Sequence, residues 1–263
     1  MRIESVILAA GYSSRFNFED NSFKKYMLPF ERSNILNYVI LAMVNSGIER
    51  INIIVDKNAD QNFISSSCFN FFEKLSLNCS NFNLNFVINN QIDRENGYSL
   101  YLGVNEVKSD FFILSMADHI FSDNVYSILI DNYNDEDVVL ATDPMKIEGI
   151  YDLDDCTKVL GENRRILEIG KKIENYNRLD MGAFIMKTRT VRQLAEQVEN
   201  EQFKFGVSDV LINGIKNNFK ICYLDFDNTL WLDVDDHVEY NKLKNIVKIK
   251  PDFKPFNLDL KSS

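Results

Sequence analysis

Runs of Val, Ile and Leu alternate with longer stretches of helical period along the first half of this chain, and that alternation limits the fold more than any other feature. "SVILAA" reads as a buried strand, and "NILNYVILAMVNSG" follows with apolar residues at helical spacing. "INIIVD", "NLNFVIN" and "FFILSMAD" read as further strands, with a polar helix-loop region through 58–82 and the helical "SLYLGVNEV" between them. Strands this apolar are covered on both faces, and their βα alternation predicts an α/β fold. We expect a mostly parallel mixed sheet flanked by helices on both faces. Ligands of such sheets bind at the carboxyl ends of the strands.

After about residue 141 the pattern changes. "GIYDLDDCTKVL", "RILEIGK" and "MGAFIMK" read as shorter strands, and "TVRQLAEQVENE" and "HVEYNKLKNIVK" as amphipathic helices. "FKICYLDF" and "TLWLDVD" are expected to pair as a hairpin around Asp227 and Asn228. No repeat interrupts the chain. The expectation is one domain over residues 1–250, with a small β-rich subregion over the strand ends and a polar, proline-punctuated tail at 251–263.

The charge balance, Lys+Arg 29 against Asp+Glu 39 for a net −10, argues against a broad nucleic-acid or anionic-membrane surface. No apolar run reaches the roughly 18–20 residues of a membrane span, and no signal peptide is visible. Cys68, Cys79, Cys156 and Cys222 form no CxxC pair. They are expected to be reduced thiols in a cytoplasmic protein.

"VILAAGYSSRF" carries a strand into Gly11, Ser13, Ser14 and Arg15. Consecutive free N–H groups in such a turn make a concavity for anions, and the Arg15 fork suits phosphate oxygens. Lys24 and Lys25 follow in "SFKKYMLPF"; Lys25 is in reach of the same phosphates, although a solvated surface pair is equally compatible with the sequence. No GxxxxGK[ST] loop occurs. Asp118 ends the strand in "ILSMADHIF", and Asp233 and Asp235 lie two apart in "LWLDVDDHVEY". Such carboxylates suit Mg²⁺, which takes oxygen ligands, or else they cap the helices that follow. His119 is expected to orient or pack, because imidazole favours softer metals.

"LAAGYSSRF", "KKYMLPF", "ENGYSLYLGV", "SMADHIF", "CTKVL", "LEIGKKIENYNRLDMGAFIMK" and "WLDVDD" occur in the order found in the sugar-phosphate nucleotidyltransferases. The chain resembles most the CTP:inositol-1-phosphate cytidylyltransferase group of that superfamily. The resemblance implies a Rossmann-like nucleotide-diphospho-sugar transferase fold. It also implies a Mg²⁺-dependent reaction in which CTP and inositol 1-phosphate give CDP-inositol and pyrophosphate. Arg15 and Lys25 would then be catalytic, with Gly11, Ser13 and Ser14 at the triphosphate. Ala9, Ala10, Asn96, Gly97 and Ser99 would lie at the base or ribose. Asp118 with Asp233, and Asp235 beside them, would hold the metal, and Lys158, Lys171 and Asp180 would bind the acceptor. Other acceptors, such as a sugar 1-phosphate, phosphocholine or aminoethylphosphonate, stay open, as does a silent nucleotide-binding subunit. A homodimer is open too, as is a separate membrane phosphotransferase that uses the CDP-product.

The chain departs from the family pattern in places. Ser13 stands for a glycine, Lys24 for a proline, Met181 for a threonine and "DDH" for DTP, and residues 17–23 make a longer loop.

Overall fold

A computed structural model describes residues 3–16, 24–144 and 153–249. The strands are β1 (Glu4–Ala9), β2 (Pro29–Phe30), β3 (Ser33–Asn34), β4 (Arg50–Asp56), β5 (Asn83–Asn89), β6 (Phe111–Met116), β7 (His119–Phe121), β8 (Val138–Asp143), β9 (Lys158–Glu162), β10 (Arg165–Gly170), β11 (Arg178–Lys187), β12 (Ile221–Asp225) and β13 (Trp231–Asp233). The helices are α1 (Ile35–Asn45), α2 (Gln61–Lys74), α3 (Glu95–Glu106), α4 (Val125–Asp131), α5 (Thr188–Glu201), α6 (Val207–Lys216) and α7 (His237–Ile249).

Nine strands form one sheet in the order β5-β4-β1-β6-β11-β8-β12-β10-β9. β5, β4, β1 and β6 are mutually parallel, as the βα alternation requires. The period-two alternation of strand side chains serves two cores. Ile7 and Ala9 of β1 pack on one face, Val6 and Leu8 on the other. The first core is covered by α1, α2 and α4, the second by α3, α5 and α6. The sequence-predicted α/β class therefore holds.

The second half of the chain completes the same sheet. β11 inserts antiparallel between β6 and β8, and β12 runs parallel to β8. β9 and β10 form a hairpin whose β9 also pairs with the start of β11. Strands β11, β8, β12, β10 and β9 thus make a ring of pairings continuous with the main sheet, which is where the β-rich subregion lies.

The 221–233 hairpin does not form. β12 joins the sheet beside β8, whereas β13 pairs with β7, placing Asp233 opposite His119. Both segments have strand composition, but each pairs with a distant strand. The strand at 138–143, the short strands β2, β3 and β7, and helices α4 and α6 are additions to the sequence reading. The tail at 251–263 and the long loop at 17–23 fall outside the described residues.

Candidate active site

The carboxyl ends of β1 and β6, the start of α3 and the β7–β13 pair surround a cavity of about 610 Å³. Its walls include Ala9, Ala10, Gly11, Ser13, Arg15, Lys25, Asn96, Ser99, Asp118, Lys171, Asp180, Asp233 and Asp235. Among the sequence-predicted residues, Ser14, Gly97 and Lys158 stand apart from this wall. Ser14 opens a short turn, Ser14–Phe16, on the exposed side of the loop. Gly97 packs elsewhere: its N–H donates to the Phe205 carbonyl at 3.0 Å, and a Cβ there would lie 2.4 Å from the Phe205 ring. It sets how closely α3 approaches the 205–206 turn. Lys158 donates to the Lys171 carbonyl at 2.9 Å and lies over the Tyr176 ring.

The loop after β1 explains two departures from the family pattern. The left-handed residue is Ser13, at φ +54°, and not Gly11. A Cβ on Gly11 would meet nothing within 4 Å, so that position leaves open space for a ligand. Ser13 keeps its strained conformation while its Oγ accepts the Lys25 N–H at 3.1 Å, and Phe16 is buried beneath the turn. Lys24, in the proline's place, turns inward: its Nζ pairs with Asp56 Oδ2 at 2.5 Å, with the two side chains 6% and 1% exposed. The two lysines therefore part company, Lys24 into the core and Lys25 into the cavity.

Lys25 Nζ pairs with Asp118 Oδ2 at 2.5 Å and also with Asp235. Arg15 pairs with Asp235 at 3.0 Å and with Asp155, whose other oxygen takes Lys171 Nζ at 2.7 Å. Burial works against the charge on Lys25, yet Asp118, Asp233 and Asp235 hold its pKa above the ordinary lysine value. For Asp118 burial also opposes ionisation, and Lys25 with His119 outweighs it, keeping the carboxyl well below the usual range. The Arg15 hydrogen bond holds Asp155 low as well.

His119 Nδ1 lies 2.8 Å from Asp118 Oδ1 and 3.7 Å from Asp233 Oδ1, and its ring stacks on Trp231. Trp231 in turn donates to the buried Asp143 at 3.0 Å. His119 thus orients Asp118, as its residue type suggested. The left-handed Gly182, at φ +71°, leaves room for this ring, since a Cβ there would sit 2.6 Å from His119 Cδ2. Asp180 is pushed up to about 6 by burial, against the opposing hydrogen bond from the Gly182 N–H.

The helix-cap alternative for the acidic residues falls to other side chains. Asp236 Oδ1 accepts the N–H groups of Val238 and Glu239 at the start of α7, and Asn124 caps α4. Asp118, Asp233 and the His119 ring offer atoms within 4.8 Å of one another. Asp233 Oδ1 is buried with no hydrogen-bond donor, and burial raises its pKa. An orphaned carboxylate oxygen beside a second carboxylate suits a hard divalent cation. Asp118 and Asp233 therefore fit Mg²⁺, while Asp235 faces Arg15 and Lys25 instead. Asp155 was not singled out from the sequence. It sits in a run of acids, "DLDD", that carries no spacing signal.

Residues 5–170 match the MobA-like NTP transferase domain. The chain belongs to that family. It is accordingly a nucleotidyltransferase, and the resemblance read from the motifs holds at family level. The bifunctional IPC transferase and DIPP synthase of Aquifex aeolicus is 27% identical over 241 residues, covering 91% of this chain and 50% of that protein. The protein of the same name from Thermococcus kodakarensis is 22% identical over 243 residues, covering 92% and 50%. The chain thus spans about half the length of the curated relatives it matches. Among solved structures, the inositol-1-phosphate CTP transferase from T. maritima is 21% identical with a TM-score of 0.75, over 94% of this chain and 97% of that one. A UDP-glucose pyrophosphorylase complexed with UDP-glucose is 17% identical with a TM-score of 0.77, over 95% and 100%. The fold of this family member is that of the nucleotide-diphospho-sugar transferases. Among its described residues, no helix is long and apolar enough to cross a membrane.

Proposed function

We propose that this nucleotidyltransferase joins CTP to inositol 1-phosphate, giving CDP-inositol and pyrophosphate. The observation that carries the reading is the convergence of Arg15, Lys25, Asp118 and Asp233 on one cavity, although they come from both halves of the chain. The names of the Aquifex and T. maritima relatives support inositol phosphate as acceptor and CTP as donor.

In this reading a phosphate oxygen of the acceptor attacks the α-phosphorus in line. One P–O bond forms, the bond to the β-phosphate bridging oxygen breaks, and pyrophosphate leaves with that oxygen. The chain's task is to position two anions and offset their charge. Lys25 would bridge the two phosphoryl groups with one ammonium. Arg15 offsets charge growing on the leaving pyrophosphate, and the N–H groups of the Gly11–Ser13 turn face the triphosphate. Lys171 and Asp180 serve the acceptor. Asp118 and Asp233 would hold Mg²⁺, which neutralises phosphate oxygens and stabilises charge on the α-phosphoryl group. Without a cation, those carboxylates would repel the triphosphate.

The test is a matrix of the four NTPs against phosphorylated acceptors, with Mg²⁺ and a pyrophosphate readout. CTP with inositol 1-phosphate should give the highest kcat/KM. Pyrophosphate from no combination overturns the reading, as does clear preference for another acceptor.

A further inference from the structure

Beside the ionic cluster of Arg15, Lys25, Asp118 and Asp235, the cavity wall includes Leu8, Ala9, Val207, Asn96 and Ser99. A nucleobase suits a wall where Leu8, Ala9 and Val207 supply apolar surface and Asn96 and Ser99 supply polar groups. Ser99 is 4% exposed, and its hydroxyl has one protein partner. Asn89, the last residue of β5 and 1% exposed, donates from Nδ2 to Ser99 Oγ at 3.0 Å. The direction of that bond is set by the backbone. The Gln91 N–H, which can only donate, lies 2.7 Å from Asn89 Oδ1, so the amide's other end must face the serine. One lone pair of Ser99 Oγ is therefore occupied, and among the described residues its O–H has no acceptor. A buried donor in this state is satisfied by an acceptor in the cavity.

Asn96 repeats the arrangement one turn earlier. Its Oδ1 accepts the Val207 N–H at 3.0 Å, which turns its own NH₂ outward. Residues three apart share a helix face, so the wall offers two neighbouring donors. Cytosine carries two adjacent acceptors, O2 and N3; uracil has an N–H at N3.

We propose that Asn89, which does not itself line the cavity, sets the polarity with which Ser99 reads the nucleobase and so selects cytosine over uracil. Asn89 is a positioning residue, and the inference rests on the reading of the site as a nucleotide site. Asn89→Asp at pH 8 reverses the bond. Its carboxylate takes the Ser99 hydrogen, leaving only lone pairs toward the cavity, which match the uracil N3–H. Asn89→Ala frees the hydroxyl to serve either base.

The experiment is calorimetric binding of CTP and of UTP to the full chain with Mg²⁺. The unmodified protein should bind CTP at least about tenfold more tightly than UTP, and both Asn89 variants should lose about tenfold in that ratio. A merely structural role would weaken both nucleotides together. Equal binding of CTP and UTP by the unmodified protein overturns the inference, as does an unchanged ratio in either folded Asn89 variant. Should neither variant fold, Ser99→Ala decides: a ratio unchanged there overturns it, and a lost ratio supports it. Transfer is assayed separately. Discrimination retained without pyrophosphate release refutes the proposed reaction and leaves this inference standing; release without discrimination does the reverse.

Discussion

Lys24 and Lys25 are neighbours of the same residue type, and the structure assigns them opposite consequences. Lys24→Met removes the cation from a buried pair whose carboxylate, Asp56, is 1% exposed. Removing one partner of such a pair costs about 3–5 kcal/mol, because the remaining charge has no compensation. A chain of this size shifts its Tm by about 2–4 °C per kcal/mol, so the variant should melt about 6–20 °C lower. Its folded fraction should keep kcat within a few-fold, since Lys24 reaches no part of the cavity. Lys25→Met should do the opposite. Its ammonium is half-buried between Asp118 and Asp235 on the cavity wall, where the proposed reaction would use it. Loss of one charge contact at the transition state costs about 2–4 kcal/mol, or about 30- to 1,000-fold in kcat. Its Tm should move far less than that of Lys24→Met. Calorimetric melting and steady-state pyrophosphate release on both variants make the comparison. A Lys24→Met protein that melts normally but is inactive, or a Lys25→Met protein with near-normal turnover, refutes the assignment.

The half-buried Asp180 makes stability pH-dependent. Its folded pKa of about 6 lies above the unfolded value of about 3.9. The native state therefore binds the extra proton between them, and this contribution is full below about pH 4 and lost as pH rises through 6. Its size is up to about 3 kcal/mol, so Asp180→Asn should gain Tm over the unmodified protein at pH 7 and not at pH 4; equal gains at both refute the cause. Gly182→Ala should lower Tm and cut kcat at least about tenfold, because the new methyl displaces the His119 ring that orients Asp118; a near-normal enzyme excludes that contact. Chelation should abolish pyrophosphate release and added Mg²⁺ restore it, with Asp233→Asn needing far more of the ion. Because burial raises the Asp233 pKa, protons compete with Mg²⁺, and its apparent affinity should fall from pH 8 to pH 6; an unchanged titration argues against this pair as ligands.

Much of the parallel half was legible locally. β1, β4 and β6 are runs of apolar residues, and a strand covered on both faces needs no information beyond its own composition. Arg15 and Lys25 were legible as cations close to one strand end because they lie near each other in sequence, and both line the cavity. Strand β8 was less distinct, since its "VVLATD" ends in polar residues that the fold buries. Gly97 was misplaced by motif position alone: its neighbours in "ENGYSL" line the cavity, but helix periodicity turns position 97 toward Phe205. Asp236 and Asp235 were indistinguishable as letters, and only the direction of the chain entering α7 makes one a cap and the other a partner of Lys25.

The linear order of residues determined most of the long strands, most of the helices and the inventory of charged groups, because backbone preference and side-chain period act over a few residues. Which strands lie side by side was decided in three dimensions. Pairing β13 with β7 brings Asp233 beside Asp118, and seating Lys24 on Asp56 leaves Lys25 to the cavity. Alternation tells which face a side chain takes and is silent on which distant segment will meet it there. That choice follows from burying apolar surface while pairing buried charges such as Lys24 and Asp56.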